Sequence, residues 1–204
     1  MEPFKSFTAV AVPFDMDNVD TDQIIPARLM RKSRRDDLHG TYLFRDLRFN
    51  EDGSEKPEFI LNHPEFRKAR IIVGAKNYAC GSMRIGAIYT HYDYGIRAVI
   101  VETMSDTFYR NCVKIGILPV RLDGAAVAGL RAQLHQRPGA TISADLELQS
   151  VTGPDGSEHH FEINAFDKRC LIKGLNHIGL TLERVTEITT FEDRYYQKMT
   201  WLRQ

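Results

Sequence analysis

Long apolar runs are the first feature that this sequence lacks. A membrane-spanning helix needs about 20 consecutive apolar residues, and no stretch of the 204 residues approaches that length. The first ten residues, MEPFKSFTAV, also lack the basic and then apolar layout of a secretory signal. We therefore expect a cytoplasmic protein that has no membrane partner.

Clustered cysteines and net charge are missing as well. Cys80, Cys112 and Cys170 are far apart and form no C-x-x-C pair of the kind that indicates a zinc or redox site. The 27 basic residues balance the 27 acidic ones, so no excess charge favours nucleic acid as a partner. These absences predict a chain without a metal of its own, whose partner is a small metabolite or another protein.

Three short apolar runs dominate what is present. RIIVGA, IRAVIV and GILPVRL are separated by two segments of helical length, and the second of these, SDTFYRNCVKIG, ends at a glycine. This β-α-β-α-β order predicts a small parallel sheet with right-handed crossovers.

The residues before these runs predict less regular structure. FTAVAVPFD alternates well enough for a strand that breaks at Pro13. The segment DNVDTDQIIPARL is dense in Asp and Asn and predicts an ordered loop, whereas LNHPEFRKA predicts a short helix with Pro64 near its start.

After Asp123 the pattern changes. GAAVAGLRAQLHQRPG predicts a surface helix, and the following 24 residues predict two strands joined as a hairpin by GPDG. The last helical segment, TLERVTEITTFEDRYYQKM, is amphipathic enough to pack on the body or on a partner. Chain length favours one domain. We therefore expect a single domain over residues 1–204, with segment 123–204 as a C-terminal hairpin and helix extension.

Reactive groups are expected in the stretch NYACGSMRIG, residues 77–86, because it follows one apolar run and precedes a helical segment. Loops at the carboxyl ends of strands are where α/β proteins present such groups. Taken alone, its Ser82 and Arg84 are a weak signal, since serine also commonly caps helices.

Five blocks together carry a much stronger signal: NVDTDQIIP, NYACGSMR, DYGIRAVI, FYRNCVKIGILPV and LNHIGLTL. In these blocks, which cover nearly the whole chain in order, the sequence resembles the small subunits of the 3-isopropylmalate dehydratases, a family of the aconitase superfamily. The resemblance implies an α/β fold, the aconitase-like swivelling β/β/α domain. Such a domain has a small parallel or mixed sheet flanked by helices, with a C-terminal hairpin and helix.

The resemblance also implies an activity. The small subunit belongs to a heteromeric hydro-lyase of leucine biosynthesis, which isomerises 2-isopropylmalate to 3-isopropylmalate by dehydration and rehydration. It is active only with a large subunit that carries a [4Fe-4S] cluster, so no cofactor is expected in this chain.

Residue roles follow from the same resemblance. In the family the turn reads C-G-S-S-R-E-H, and its first serine, matched by Ser82, is the base that removes a proton next to a substrate carboxylate. A serine can do this where a cation and helix N-terminal amides stabilise the alkoxide, which Arg84 and the amides of Gly81 to Arg84 would supply. Arg84 would also hold a carboxylate through its planar fork of donors.

Two further regions receive roles. Asp22 matches an acidic residue near the closed active site, where it would orient a basic partner; an Asx-turn that orders the loop is the alternative. The basic loop after Pro26 would supply another carboxylate-binding arginine. Alignment favours Arg35 for this role, with Arg34 as a close alternative.

Three positions depart from the family pattern: Met83, Ile85 and Gly86 stand where the family has Ser, Glu and His. Met83 cannot donate the hydrogen bond that the second serine gives a substrate carboxylate. Two alternatives therefore stay open. One is the same reaction on another branched dicarboxylic acid, of the citraconate or dimethylmalate type. The other is a non-catalytic subunit that retains the fold and the docking surface.

Overall fold

Seven strands form one mixed sheet in a computed structural model of the chain, which describes residues 1–34, 38–82 and 84–202. Across the sheet their order is β4-β3-β2-β1-β5-β6-β7. The strands are Ser6–Pro13 (β1), Ile71–Val73 (β2), Ala98–Val101 (β3), Leu118–Arg121 (β4), Thr141–Asp145 (β5), Ser150–Thr152 (β6) and Glu158–His160 (β7). The α-helices are Thr21–Ile24 (α1), Arg45–Arg48 (α2), Gly86–Tyr94 (α3), Asp106–Ile115 (α4), Gly124–Gln136 (α5), Ala165–Lys173 (α6), His177–Leu182 (α7) and Val185–Lys198 (α8).

The parallel half of the sheet confirms the predicted β-α-β-α-β unit. Strand β1 pairs with β2, β2 with β3 and β3 with β4, all in parallel, while α3 and α4 make the two crossovers. Every residue of β2 and β3 is buried, as continuous apolar runs in a parallel sheet require. Helix α4 is capped by the Ser105 side chain and ends at Gly116 in the left-handed conformation, as predicted.

Two local predictions before β2 are wrong. The segment predicted as a loop contains the single-turn helix α1, because the Asp20 side chain and Gln23 close a capping box around it. The segment predicted as a short helix at Pro64 contains only a 3-10 turn, Ile60–Asn62, followed by further turns. His63 is extended, at φ −67° and ψ 136°, because the proline that follows disfavours helical geometry in the residue before it.

The predicted two-strand hairpin is in fact three strands. Its first strand divides into β5 and β6 at a turn where Gln149 has a φ of 56°, and the Leu148 amide donates to Asp145 Oδ1. The second turn, at GPDG, joins β6 to β7 as predicted, with the Gly153 amide donating to the carbonyl of Ser157.

The antiparallel half continues the same sheet. Strand β5 pairs with β1 along five residue pairs, from Ser6 with Asp145 to Val10 with Thr141. We propose that residues 1–204 are one domain for this reason, with segment 123–204 supplying the hairpin and the C-terminal helices.

Helix α8 buries none of its residues. The sequence predicts that this helix packs either on the body of the protein or on a partner. Because the body does not cover it, packing on a partner remains the prediction. No helix within the described residues is both long and apolar enough to cross a membrane.

Candidate functional site

The turn that carries Ser82 lies at the carboxyl edge of the parallel strands and is hydrogen-bonded to the loop after β1. The Cys80 amide donates to the Val19 carbonyl at 3.0 Å, and the Thr21 amide donates to the Cys80 carbonyl at 2.9 Å. These bonds align residues 19–21 beside residues 80–82, because β1 and β2 are neighbouring strands.

On its other side the same turn is held by the loop after β3. The Tyr78 amide donates to the Thr103 carbonyl at 2.9 Å, and the Ser105 hydroxyl donates to the Ala79 carbonyl at 3.0 Å. Hydrogen bonds from two neighbouring loops therefore fix the backbone of the turn. A reactive side chain requires such a fixed backbone, because its position relative to the substrate must be precise.

Gly81 has no room for a side chain. Its φ is +89°, and a Cβ added to it would lie 2.1 Å from Asp20 Oδ2. Asp20 is the residue whose side chain caps α1. A glycine here therefore allows the turn and the capped loop to approach each other, which places Ser82 next to α1.

Gly81→Ala should lower the free energy of unfolding by about 2–3 kcal/mol, because left-handed backbone costs an L-residue about 1–2 kcal/mol and loss of an N-cap costs about 1 kcal/mol. Gly156→Ala is the matched control, because its φ is +87° and nothing lies within 4 Å of the added Cβ. Only the backbone cost should apply there. Urea unfolding of the two variants measures the difference, and equal losses would mean that the Asp20 contact does not constrain Gly81.

Ser82 contacts Thr21 twice. Its hydroxyl lies 3.0 Å from Thr21 Oγ1, and its amide donates to the same oxygen at 3.0 Å. The interpretation of Ser82 as a helix cap is wrong, since α3 begins at Gly86, Ile85 is its N-cap residue and no side chain caps it. The expectation that the amides of Gly81 to Arg84 are helix N-terminal amides is also wrong, because α3 begins only at Gly86 and the Ser82 amide already donates to Thr21. Arg84 is the member of the predicted stabilising set that remains.

Arg84 is held by Asp22. Its Nη1 lies 3.3 Å from Asp22 Oδ1 and 3.3 Å from the Met30 sulfur, with the two charged side chains 50% and 58% exposed. The ion pair connects the two loops, yet at this exposure it adds little stability. The Asx-type contact of this loop is made by Asp20, whose Oδ1 accepts from the Asp22 amide. The residue that orders this loop through an Asx-type contact is therefore Asp20 and not Asp22.

Arg34 is tied to helix α3. Its Nε and Nη2 donate to the Asp93 carboxylate at 3.0 and 2.9 Å, and its guanidinium carbon lies 4.2 Å from the centre of the Tyr89 ring. His39 Nδ1 approaches the same carboxylate, 2.8 Å from Oδ2. Arg34 thus anchors the basic loop. The other two predicted site residues of this region, Arg35 and Met83, lie outside the described residues.

A buried polar pair lies behind the turn, and the sequence did not predict it. Tyr78 Oη is 2.8 Å from His91 Nε2, and His91 Nδ1 is 2.6 Å from the Ala87 carbonyl. Burial lowers the pKa of His91 to about 4. The ring is therefore neutral at pH 7, with Nδ1 donating to Ala87 and Nε2 accepting from Tyr78. This pair joins the turn to helix α3.

The cysteines of the described residues do not suit an iron–sulfur cluster. Iron–sulfur clusters are held by several cysteine thiolates. Of the three cysteines, Cys112 and Cys170 are buried and Cys80 is half-buried. Within the described residues, no group of three His, Cys, Asp or Glu side chains could hold a metal ion.

The fold and the loops at this edge of the sheet define an α/β domain of the aconitase C-terminal type. Residues 1–125 match the family model described as the aconitase C-terminal domain. Residues 128–165 match the LeuD_N model, and residues 178–204 match the model of the C-terminal domain of 3-isopropylmalate dehydratase small subunits.

Curated relatives extend the likeness to the whole chain. The 3-isopropylmalate dehydratase small subunits of Jannaschia sp. (strain CCS1) and Azorhizobium caulinodans are each 44% identical over 202 residues, which is 99% of this chain and 100% of each relative. The chain belongs to the family of 3-isopropylmalate dehydratase small subunits. This confirms the resemblance that the five sequence blocks carry.

A solved structure confirms the fold. The crystal structure of 3-isopropylmalate dehydratase from Methanocaldococcus jannaschii superposes with a TM-score of 0.66 at 21% identity. The match covers 91% of this chain and 99% of that one. At this identity the likeness concerns the fold alone.

Proposed function

We propose that this chain is the small subunit of a cytoplasmic, heteromeric hydro-lyase that isomerises 2-isopropylmalate to 3-isopropylmalate in leucine biosynthesis. One observation carries the proposal: in a chain that matches this family from end to end, Ser82 contacts Thr21 and Arg84 contacts Asp22. At the carboxyl edge of the parallel strands, Ser82 is suited to proton transfer and Arg84 to carboxylate binding.

Each group has a proposed role. Ser82 Oγ removes the proton from the carbon next to a substrate carboxylate, the substrate hydroxyl leaves, and a carbon–carbon double bond forms. Addition of one water across the double bond in the opposite orientation, with its hydroxyl on the carbon that lost the proton and its hydrogen on the carbon that lost the hydroxyl, gives the isomer. Arg84 binds a carboxylate through its two outer nitrogens and favours the anionic form of the nearby serine, while Asp22 orients the guanidinium.

The proposal includes a large partner subunit that carries a [4Fe-4S] cluster, because the relatives are small subunits and the described residues contain no group of side chains that could hold a metal. Two features support docking. Arg84 and Asp22 are half exposed in the isolated chain. Helices α7 and α8 and the following turn present six large apolar side chains more than 45% exposed, namely Ile178, Leu182, Val185, Phe191, Trp201 and Leu202.

Reconstitution tests this proposal. The chain, its cognate large subunit and an equimolar mixture are assayed under anaerobic conditions with 2-isopropylmalate. Turnover is expected only in the mixture. Turnover by this chain alone would contradict the proposed division of the active site between two subunits.

A second test asks which arginine of the basic loop binds the substrate carboxylate. Arg34 already donates to the carboxylate of Asp93. We propose that Arg35 is the one that binds substrate. Arg35→Ala should raise KM by about tenfold, the scale of one lost hydrogen bond to a charged group. Arg34→Ala should instead lower the melting temperature, because it frees the loop from α3. The reverse pattern would assign substrate binding to Arg34.

A different substrate of the same reaction type is the second candidate. Ile85 follows Arg84 in the chain, where the family has a glutamate, and is an apolar side chain that is 38% exposed. This observation favours a branched dicarboxylic acid such as citraconate or a dimethylmalate. Comparison of these acids with isopropylmalate in the reconstituted pair distinguishes the two candidates.

A further inference from the structure

Thr21 is nearly inaccessible to water, with 2% of its surface exposed, yet its side chain is polar. It is the first residue of α1, and its backbone is fixed at both ends. Its amide donates to the Cys80 carbonyl at 2.9 Å, and its carbonyl accepts from the Ile25 amide at 2.9 Å. The side chain faces the turn, since its hydroxyl contacts Ser82.

The hydrogen bonds of this hydroxyl determine where its proton points. Thr21 Oγ1 accepts from the Ser82 amide, and within the described part of the chain its other polar contact is Ser82 Oγ, at 3.0 Å. A hydroxyl donates one hydrogen bond, and a buried donor without an acceptor is costly. The proton of Thr21 is therefore directed at Ser82 Oγ.

From this geometry we infer that Thr21 is a positioning residue, which donates a hydrogen bond to Ser82 Oγ and favours its anionic form. A bond from a neutral hydroxyl to an anionic oxygen is about twice as strong as a bond between neutral groups. Because Thr21 fills one lone pair of Ser82 Oγ, the serine's own proton points away from Thr21. The inference rests on the proposed function, in which Ser82 is the base.

The first experiment uses the isolated chain and is independent of turnover. In a Ser82→Cys background, the alkylation rate of the new thiol is measured against pH, and the rate of the parent chain, which has Cys80, is subtracted. With Thr21 present, the thiolate should form at a pH about one unit lower than with Thr21→Val. Thr21→Ser should keep the lower midpoint, because it retains the donor.

Equal midpoints for Thr21 and Thr21→Val would overturn the inference. If the valine variant fails to fold, Thr21→Ala in the same background gives the comparison, because its smaller side chain cannot overfill the site. A retained midpoint in Thr21→Ala would overturn the inference equally.

The second experiment uses the reconstituted holoenzyme with Ser82 intact. Thr21→Val should lower kcat about tenfold near neutral pH and move the acidic limb of the pH profile upward by about one unit. Thr21→Ser should stay within about threefold of the parent, with an unmoved limb. A uniform loss at every pH would assign Thr21 a purely structural role. Absence of isopropylmalate turnover in the parent pair would reject the proposed function, yet the thiol titration would still decide the role of Thr21.

Discussion

Ser82→Ala in the reconstituted pair should lower kcat by about 10²-fold or more, the scale of a positioned group that transfers a proton. The small subunit should lose only about 1 kcal/mol of stability, the cost of leaving the buried Thr21 hydroxyl without its acceptor, because Ser82 does not cap α3 and is only half-buried. Steady-state rates with isopropylmalate and a thermal melt of the isolated chain measure the two effects.

Ser105→Ala is the matched control for that result. Ser105 caps α4, and its hydroxyl also donates to the Ala79 carbonyl in the turn. Its removal should cost about 1 kcal/mol of stability with a much smaller loss of kcat. If Ser82→Ala instead resembled Ser105→Ala, lowering stability and sparing kcat, Ser82 would be a structural residue.

Acid should destabilise the protein through His91 before most carboxylates titrate. The folded state holds the pKa of His91 near 4, whereas an unfolded chain binds the proton near 6.5. Between these values the unfolded state therefore carries more protons. The stability contributed by neutral His91 is complete above pH 6.5 and falls by about 1.4 kcal/mol per pH unit on acidification, to a total loss of about 3 kcal/mol at pH 4.

The double variant Tyr78→Phe/His91→Leu isolates this effect. Replacement of both partners of a buried hydrogen bond by apolar groups is nearly neutral, so stability at pH 7.5 should be close to that of the parent. Urea unfolding from pH 7.5 to pH 4 should then give a pH dependence shallower by about 3 kcal/mol over the range. An unchanged slope would mean that His91 takes up its proton in the folded state. His91→Leu alone should be less stable at every pH, because it leaves the Tyr78 hydroxyl unpaired.

Most of the fold could be predicted from local signals. The apolar residues of β2, β3 and β4 are buried, and the Ser105 and Gly116 caps of α4 are short-range sequence features. The helix predicted at Pro64 and the undivided strand after Gly139 failed for an equally local reason. His63 has an extended backbone before Pro64, and the strand after Gly139 is divided by a turn that ends at Gln149, whose φ is 56°.

The types of the site residues were predictable, but their partners were not. The contact between Thr21 and Ser82 joins residues 61 apart, and the bond between Arg34 and Asp93 joins residues 59 apart. The first depends on β1 lying next to β2, and the second on where the basic loop reaches α3. Neither distance follows from the spacing of residues along the chain, so a sequence motif identifies the reactive groups without identifying what holds them.

The substrate preference of the reconstituted pair tests the central claim most directly. Values of kcat/KM are measured anaerobically for 2-isopropylmalate, 3-isopropylmalate, citraconate and a dimethylmalate, with the parent chain and with Ser82→Ala. The account predicts that the two isopropylmalates have the highest values with the parent chain and that both values collapse in Ser82→Ala. A higher value for citraconate or dimethylmalate, or turnover of isopropylmalate that survives the loss of Ser82, would contradict it.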